Sequence, residues 1–402
     1  MKKYILSERV NLFEPNDYIT ITVKITGGVK EQKIVNAVNA AYLQNETTMS
    51  KIVLESDGEA YYEKMNQTGC KIYINHKSWR DIVNECEKRP FEINKGEFIR
   101  TYINVQDNEC MLTIMAHHLV GDGKSLLIFI QDVMNNLAER KGTYKPMMSM
   151  DHKFLDKKLK FPFSIRMYIK NVNKKWKRKG TSFNWEDYYN VHERYWKNHS
   201  SDIKIKTYTK TELQRMKKCA NDIGVTLNSY FITQLLKKYY KCKVVGIPIS
   251  VRECDLSMSN QTSGISIKYK YKNNKTFEKN ARNVHKKIYK EISSNFKRYF
   301  VLSFTADLTP TLIDSVLLYT HGCYKNAFSK KMSKVMFYTG KNIIDLGVTN
   351  LTRIDIPCDY GKYKIDNIIF IPPKVSYAKN IIGISTFKDT LNISYHLMSD
   401  IR

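Results

Sequence analysis

The most constraining feature of this sequence is a buried strand joined to an amphipathic helix by a short turn of histidines and glycines. Residues 110–116 form an apolar run of strand length, and residues 124–139 repeat apolar side chains at helical spacing. The turn between them reads His117-His118-Leu119-Val120-Gly121-Asp122-Gly123. A strand that leads directly into a helix favours a layered fold with both sheet and helix, and it holds the side chains of the turn rigidly.

The same kinds of pattern occur on both sides of this junction. A short strand is predicted at Tyr18–Lys24 and a helix at Lys30–Leu43. In the second half, Thr209 and Glu212 fit a capping box before one helix, and a second helix is predicted from Leu227 to Tyr240, capped near Thr226. Further strands are predicted at 243–250, 263–271, 343–348, 365–371, 381–387 and 391–397, with a helix at 277–296. Because helices and strands intermix without strict alternation, we expect a mixed α/β or α+β layering in each half.

The chain has 402 residues, which is more than one hydrophobic core usually serves, so two domains are expected. The character of the sequence changes after Gly142, where residues 153–179 are rich in Lys and Arg with interspersed aromatic residues. We therefore predict an N-terminal subdomain at 1–160 and a C-terminal subdomain at 161–402 that begins with a basic connector at about 153–195. The basic segment fits either a solvated connector or an amphipathic surface for an anionic membrane or acidic protein.

The formal charge of +27 predicts attraction to polyanions, although a general bias toward Lys would produce the same excess. No recognisable nucleic-acid-binding motif accompanies the charge, so no specific nucleic acid is expected. The early charges of the sequence do not resemble a signal peptide and no window approaches eighteen apolar residues, so we expect a cytoplasmic protein, with peripheral membrane contact left open. We also expect a monomer, and the scattered cysteines and histidines predict no metal site.

The turn supplies the residues that suggest chemistry. Imidazole is the side chain whose pKa lies nearest neutral pH, so a histidine held at this turn could take a proton from an alcohol or an ammonium group. Asp122 could either orient the imidazole or brace the loop by pairing with an arginine such as Arg9 or Arg252, and we favour bracing. Gly121 and Gly123 allow positive φ and leave space for a substrate. The simpler alternative is that the histidines are ordinary polar residues at a strand end. No serine or cysteine stands in a nucleophile-elbow pattern.

The turn resembles the His-His-x-x-x-Asp-Gly signature of the chloramphenicol-acetyltransferase-like superfamily, which includes condensation domains and stand-alone acyltransferases. The resemblance makes His118 the catalytic histidine, next to His117 and Gly123, and makes Asp122 a salt-bridged structural residue. Looser matches follow in family order along almost the whole chain: residues 209–240, 247–252, 260–267 and 349–357. In the last of these, Thr349 and Asn350 match a Ser-Asn pair linked to oxyanion or substrate contacts. Thr349 replaces the serine, and Thr352 replaces a glycine.

The resemblance implies two chloramphenicol-acetyltransferase-like subdomains in a V arrangement, with the active site in a tunnel between them. It implies acyl transfer from a thioester of coenzyme A, or of the phosphopantetheine arm of an acidic carrier protein, to a small-molecule or carrier-bound hydroxyl or amine. No permanently bound cofactor is implied. The alternative from another class is a catalytically silent module that recruits a carrier protein or partner enzyme. An epimerisation domain is disfavoured because Leu126 follows Ser125 where a Trp is expected.

Overall fold

The computed structural model describes residues 2–239, 241–253, 256–336 and 344–400. Its helices are α1 (Glu31–Leu43), α2 (Trp79–Cys86), α3 (Gly123–Leu137), α4 (His152–Lys158), α5 (Phe163–Lys177), α6 (Trp185–Asn198), α7 (Lys210–Ile223), α8 (Leu227–Lys238), α9 (Phe277–Ile292), α10 (Asn295–Asp307), α11 (Pro310–Thr320) and α12 (Ala327–Met336). Its strands are β1 (Lys3–Tyr4), β2 (Tyr18–Thr26), β3 (Ser50–Leu54), β4 (Ala60–Lys64), β5 (Lys71–Ile74), β6 (Ile99–Gln106), β7 (Glu109–His117), β8 (His199–Tyr208), β9 (Val244–Ser250), β10 (Thr262–Lys268), β11 (Leu346–Arg353), β12 (Asp359–Tyr360), β13 (Tyr363–Ile371), β14 (Ile381–Phe387) and β15 (Thr390–Asp400).

Two six-stranded sheets organise the molecule. One has the strand order β12-β13-β2-β7-β6-β5 and the other has the order β10-β9-β11-β14-β15-β8, while β1, β4 and β3 form a small third sheet. Helices α1 and α3 pack against each other beside the first large sheet, and α8 and α9 form the corresponding pair beside the second. The protein is therefore a mixed α/β fold with two halves built of sheet and helices, as the sequence predicted. The V arrangement and the tunnel stay predictions.

The first large sheet includes a strand from the far end of the chain. β13 pairs antiparallel with β2, with Ile368 opposite Val23, although more than 300 residues separate them in the sequence. β2 in turn pairs with β7, the strand that leads to the histidine turn. The division at residue 160 stays a prediction, but the N-terminal residues alone do not make the complete sheet.

Most predicted elements agree with the structure to within a few residues. β2, α1, β7 and α3 lie where apolar periodicity placed them, and the side chains of Thr209 and Thr226 cap α7 and α8 as expected. The predicted helix at 277–296 is wrong in one respect, because α9 ends at Ile292 and α10 begins at Asn295. The Ser294 side chain accepts a hydrogen bond from the backbone N–H of Lys297 and so caps the new helix. In the predicted strand at 343–348, residue 343 lies outside the described residues, and β11 runs further, to Arg353.

The basic segment is helical. α5 buries Ile169, Val172 and Trp176, and the Trp176 indole donates to Thr311 Oγ1 at 2.8 Å. Its lysines lie on the exposed side. This part of the predicted connector is therefore an amphipathic helix docked on the protein. In the described ranges no single helix is long and apolar enough to cross a membrane, although α10 and α11, bent by 101°, pass that test as a pair.

Candidate active site

The histidine turn is fixed by the strand before it and the helix after it. His117 is the last residue of β7 and lies opposite Tyr18 of β2, and the backbone N–H of His118 donates to the Asp17 carbonyl at 3.0 Å. Asp122 then caps α3: its carboxylate accepts from the Ser125 N–H at 2.9 Å, while Ser125 Oγ accepts from the Asp122 N–H. The turn is therefore held by backbone bonds at its start and by a capping box at its end.

The two histidines occupy different environments. His117 is fully buried beside the rings of Tyr18 and Phe91, and its Nδ1 accepts from the Leu119 N–H at 3.2 Å. Burial, with help from the charges of His118 and Arg100, lowers the pKa of His117 to about 3. His117 is thus a neutral residue of the core, although the sequence grouped it with the catalytic residues.

His118 is the partly exposed histidine of the pair. Its Nδ1 lies 3.0 Å from Nδ2 of Asn260, which is on the segment between β9 and β10. Burial lowers the pKa of His118, and the charge of Asp122 opposes this shift. The imidazole is therefore neutral at physiological pH, which is the form a general base requires.

Asp122 is almost fully buried and receives hydrogen bonds from both halves of the chain. Oδ1 accepts from Arg252 Nη2 at 3.2 Å, and Oδ2 accepts from the Gln261 N–H at 3.0 Å and from Thr262 Oγ1 at 3.2 Å. Of the two arginines that the sequence offered as partners, Arg252 therefore occupies the position. The carboxylate braces the turn against the segment between β9 and β10.

Arg9 has a different partner. Its Nε donates to Asp314 Oδ1 at 2.8 Å and its Nη2 donates to Asp314 Oδ2 at 2.5 Å and to the Gly58 carbonyl at 2.7 Å. Both side chains are almost completely buried. The proposed pairing of Arg9 with Asp122 is therefore wrong, because the guanidinium is paired with Asp314 on α11 instead.

Both glycines of the turn lie where a side chain would collide. Gly121 has φ 153°, and a Cβ there would lie 2.4 Å from the Ser125 side chain. A Cβ at Gly123 would lie 2.6 Å from Cδ2 of Leu351, on β11. Gly123 thus allows β11, the strand that carries Thr349 and Asn350, to pass directly beside the start of α3.

The residues of β11 are held by contacts of their own. Thr349 lies opposite Gly383 of β14, and Asn350 Nδ2 donates to Asn228 Oδ1 at 3.0 Å. The Asn350 Oδ1 accepts from the Thr352 N–H, and Thr352 has φ 59°. Threonine therefore adopts the left-handed conformation at the position where the resembling motif has glycine. No described hydrogen bond joins Thr349 or Asn350 to His118, so their role stays a prediction.

A chain of hydrogen bonds behind the turn was not predicted. The Tyr62 hydroxyl lies 2.7 Å from the Leu119 carbonyl and 3.0 Å from Glu8 Oε2, in a small pocket that also contains Ser259. A carbonyl only accepts, so Tyr62 gives its proton to Leu119 and Glu8 must donate to Tyr62. Burial raises the pKa of Glu8 to about 8, against the opposing effect of the hydrogen bond with Tyr62 and with a smaller contribution from the charge of Asp122, so the carboxyl group holds the proton this chain needs.

The sequence missed Asn260, Ser125 and Ser259 as site residues. Ser125 was recognisable, because an Asp-x-x-Ser spacing at the start of a helix is a capping pattern. Asn260 lies in a segment that the family resemblance covered, but only the folded chain brings it to His118. Within the described ranges there is no group of three or more His, Cys, Asp or Glu side chains that could hold a metal ion.

Comparison with known proteins defines the fold. No protein-family profile matches the sequence. The structure of polyketide synthase associated protein 5 from Mycobacterium tuberculosis is similar to this one with a TM-score of 0.64, covering 98% of this chain and 93% of that chain at 11% identity. The first condensation domain of the CDA synthetase has a TM-score of 0.62 over 97% of this chain and 87% of that chain, at 10% identity. The chain has the condensation-domain fold. The fold predicted from the histidine motif is therefore confirmed.

Other similarities agree with this fold. The epimerization domain of the third module of tyrocidine synthetase B has a TM-score of 0.59, covering 98% of this chain and 88% of that chain at 11% identity. In sequence, the hybrid PKS-NRPS synthetase apdA of Emericella nidulans is 23% identical over 153 residues, which are 36% of this chain and 4% of that protein. The corresponding synthetase xenE of Xenoacremonium sinensis is 26% identical over 121 residues, or 28% of this chain and 3% of that protein. The chain spans only a small fraction of these synthetases.

Proposed function

We propose that this protein is an acyltransferase or condensation enzyme in which His118 acts as general base. The observation that carries the proposal is the state of His118, a neutral, partly exposed imidazole at the end of a rigid strand, with its buried neighbour His117 excluded from solvent. With the nitrogen that faces the substrate unprotonated, such a group can take the proton of a hydroxyl or amine as it attacks a thioester carbonyl. The condensation-domain fold and the similarity to hybrid PKS-NRPS synthetases support this class of reaction.

The acyl donor would be a thioester of coenzyme A or of a carrier protein's phosphopantetheine arm. Attack of the acceptor forms a carbon–oxygen or carbon–nitrogen bond, produces a tetrahedral oxyanion, and breaks the carbon–sulfur bond as the thiol leaves. We place oxyanion contacts near Gly123 and Thr349, because β11 passes next to Gly123. The net charge of +27 favours association with either donor, since coenzyme A and acidic carrier proteins are both anionic.

Acyl transfer is testable with a panel of acyl-coenzyme A thioesters and acyl-loaded carrier proteins, incubated with hydroxyl and amine acceptors and followed by intact mass. We expect His118→Ala to reduce turnover by about 10²–10⁴-fold, the usual contribution of a general base. The fold should be retained, because the side chain is partly exposed. His285→Ala is the matched control, since His285 bonds Ser229 on the α8–α9 pair, away from the turn.

The outcomes separate two functions. Unchanged turnover in His118→Ala would contradict the mechanism. Absence of turnover by the natural sequence across the panel, together with binding to a loaded carrier protein, would instead support a silent recruiting module.

A further inference from the structure

The side chain of Asn260 contacts the imidazole of His118 at the ring nitrogen Nδ1. This side chain is buried, 8% exposed, and its Nδ2 lies 3.0 Å from His118 Nδ1. Within the described residues we find no hydrogen bond that involves Nε2, so we take Nε2 as the nitrogen that meets a substrate. The protonation of Nε2 therefore decides what His118 can do.

The orientation of the Asn260 amide is determined by its other end. Oδ1 accepts a hydrogen bond from the backbone N–H of Thr262 at 3.2 Å, so the NH₂ group must be the end that faces the ring. An amide NH₂ only donates, so His118 Nδ1 must accept. In the neutral ring the proton then resides on Nε2, and His118 offers a hydrogen-bond donor there.

The opposite tautomer has its own partner within reach. The backbone carbonyl of His118 itself favours the protonated ring, and Nδ1 is the ring nitrogen close enough along the side chain to approach that carbonyl. With the proton on Nδ1 and bonded to that carbonyl, Nε2 would carry a free lone pair and could accept a proton. The contact with Asn260 and the contact with the carbonyl therefore favour different tautomers.

We propose that Asn260 is a positioning residue that sets the tautomer of His118. This inference rests on the proposed function and deepens it: the Asn260 amide holds the resting ring as an Nε2–H donor, and its withdrawal from Nδ1 releases the base. A substrate that displaces this amide as it binds would thus let the proton move to Nδ1, so that Nε2 can act as the base.

Asp122 and Arg252 hold the segment that carries Asn260. The carboxylate of Asp122 holds the backbone of Gln261 and the side chain of Thr262, and Arg252 donates to the Ser259 carbonyl at 2.7 Å. The residues on both sides of Asn260 are therefore fixed. This arrangement gives Asp122 an influence on His118 through the loop rather than through a bond to the ring.

The tautomer can be measured without turnover, by ¹⁵N NMR of the full chain labelled at histidine, with the His118 signals assigned by their loss in His118→Ala. We expect the natural sequence to show a protonated Nε2 and an unprotonated Nδ1. Observation of a protonated Nδ1 in the unliganded protein would overturn the proposal.

Asn260→Asp provides the complementary test. A carboxylate at this position can still accept from Thr262 but can only accept from the ring, so it should move the proton to Nδ1. Among the described residues, the groups that act on the ring include Asp122, which is paired with Arg252, and the neutral His117. The new charge should raise the acidic limb of the kcat/KM–pH profile by about 1 unit or more.

Two further variants complete the design. Asn260→Ala should give mixed tautomers without an upward shift of the profile. Asn173 on α5 makes an equivalent pair of bonds, to the backbone of Asp307 and Thr309, and Asn173→Ala should leave both readouts unchanged. Identical tautomers and profiles in Asn260→Asp and Asn260→Ala would refute the assignment. If the tautomer switches as expected but no acyl transfer occurs, the assignment of Asn260 holds and the proposed function fails.

Discussion

The buried pair of Arg9 and Asp314 makes a large prediction for stability. Arg9→Ala would leave a carboxylate that is 1% exposed without its two charged hydrogen bonds. Breaking such a pair by removing one partner costs about 3–5 kcal/mol. With a urea m-value of about 3 kcal/mol/M, the unfolding midpoint should fall by about 1–1.7 M.

The defect should also depend on pH. Burial already raises the pKa of Asp314 despite the opposing charge of Arg9, and without Arg9 it should rise further. When the pKa of a carboxyl group is higher in the folded protein than in the unfolded chain, the protein loses stability as pH rises from the unfolded pKa to the folded pKa. Arg9→Ala should therefore be less defective at pH 5 than at pH 8 when unfolding is followed by circular dichroism.

A double variant provides the control. Arg9→Met with Asp314→Leu removes both charges and keeps apolar bulk, so it should recover most of the loss, except for about 1 kcal/mol from the unpaired Gly58 carbonyl. If Arg9→Ala lowers the free energy of unfolding by less than about 1 kcal/mol, or by an amount that does not change with pH, the reasoning is refuted. A buried, unpaired carboxylate should destabilise the protein by more than that.

Three other predictions follow from the structure. Arg252→Ala should lower the free energy of unfolding by less than Arg9→Ala, because Asp122 keeps its other donors, but it should reduce turnover by at least about tenfold at temperatures where the variant is folded; an unaffected rate would contradict the bracing role. Thr352→Gly should raise the free energy of unfolding by up to about 1 kcal/mol in urea titration, because φ 59° is costly for a β-branched residue; a destabilised variant would show that the threonine side chain matters more than the backbone. Although burial opposes it, Glu87 raises the pKa of His396, so this pair should stabilise the protein fully below about pH 6.5 and progressively less as pH rises through the folded pKa; the pH slope of stability should flatten in His396→Gln.

How far the sequence predicts this structure depends on the range of the interactions involved. β2, β7 and β14 are buried strands whose composition is sufficient to identify them, and Thr209 and Thr226 cap helices through bonds to residues three positions away. These are local patterns. The break between α9 and α10 could also have been predicted from the sequence, because the consecutive residues Ser293 and Ser294 favour a helix terminus over a helix interior.

The candidate site shows where local patterns stop being sufficient. Asp122 and Arg252 are 130 residues apart, and nothing in the sequence distinguishes Arg252 from Arg9 as the partner, because each is an arginine near an apolar segment. The contact between His118 and Asn260 spans 142 residues. Such pairs are determined by how the two sheets pack. The motif in the sequence therefore identifies the histidine, but it does not identify the groups that control the position of its proton.

The placement of β13 has a consequence for synthesis of the chain. β2 is a long, apolar strand in the interior of its sheet, yet the partner that covers one of its edges is made more than 300 residues later. Throughout most of translation that edge exposes unpaired N–H and C=O groups, which invite pairing with other chains. The sheet that carries the histidine turn is therefore complete only when residue 371 has left the ribosome. A fragment that ends near residue 160 should aggregate, and supplying the C-terminal fragment should rescue it.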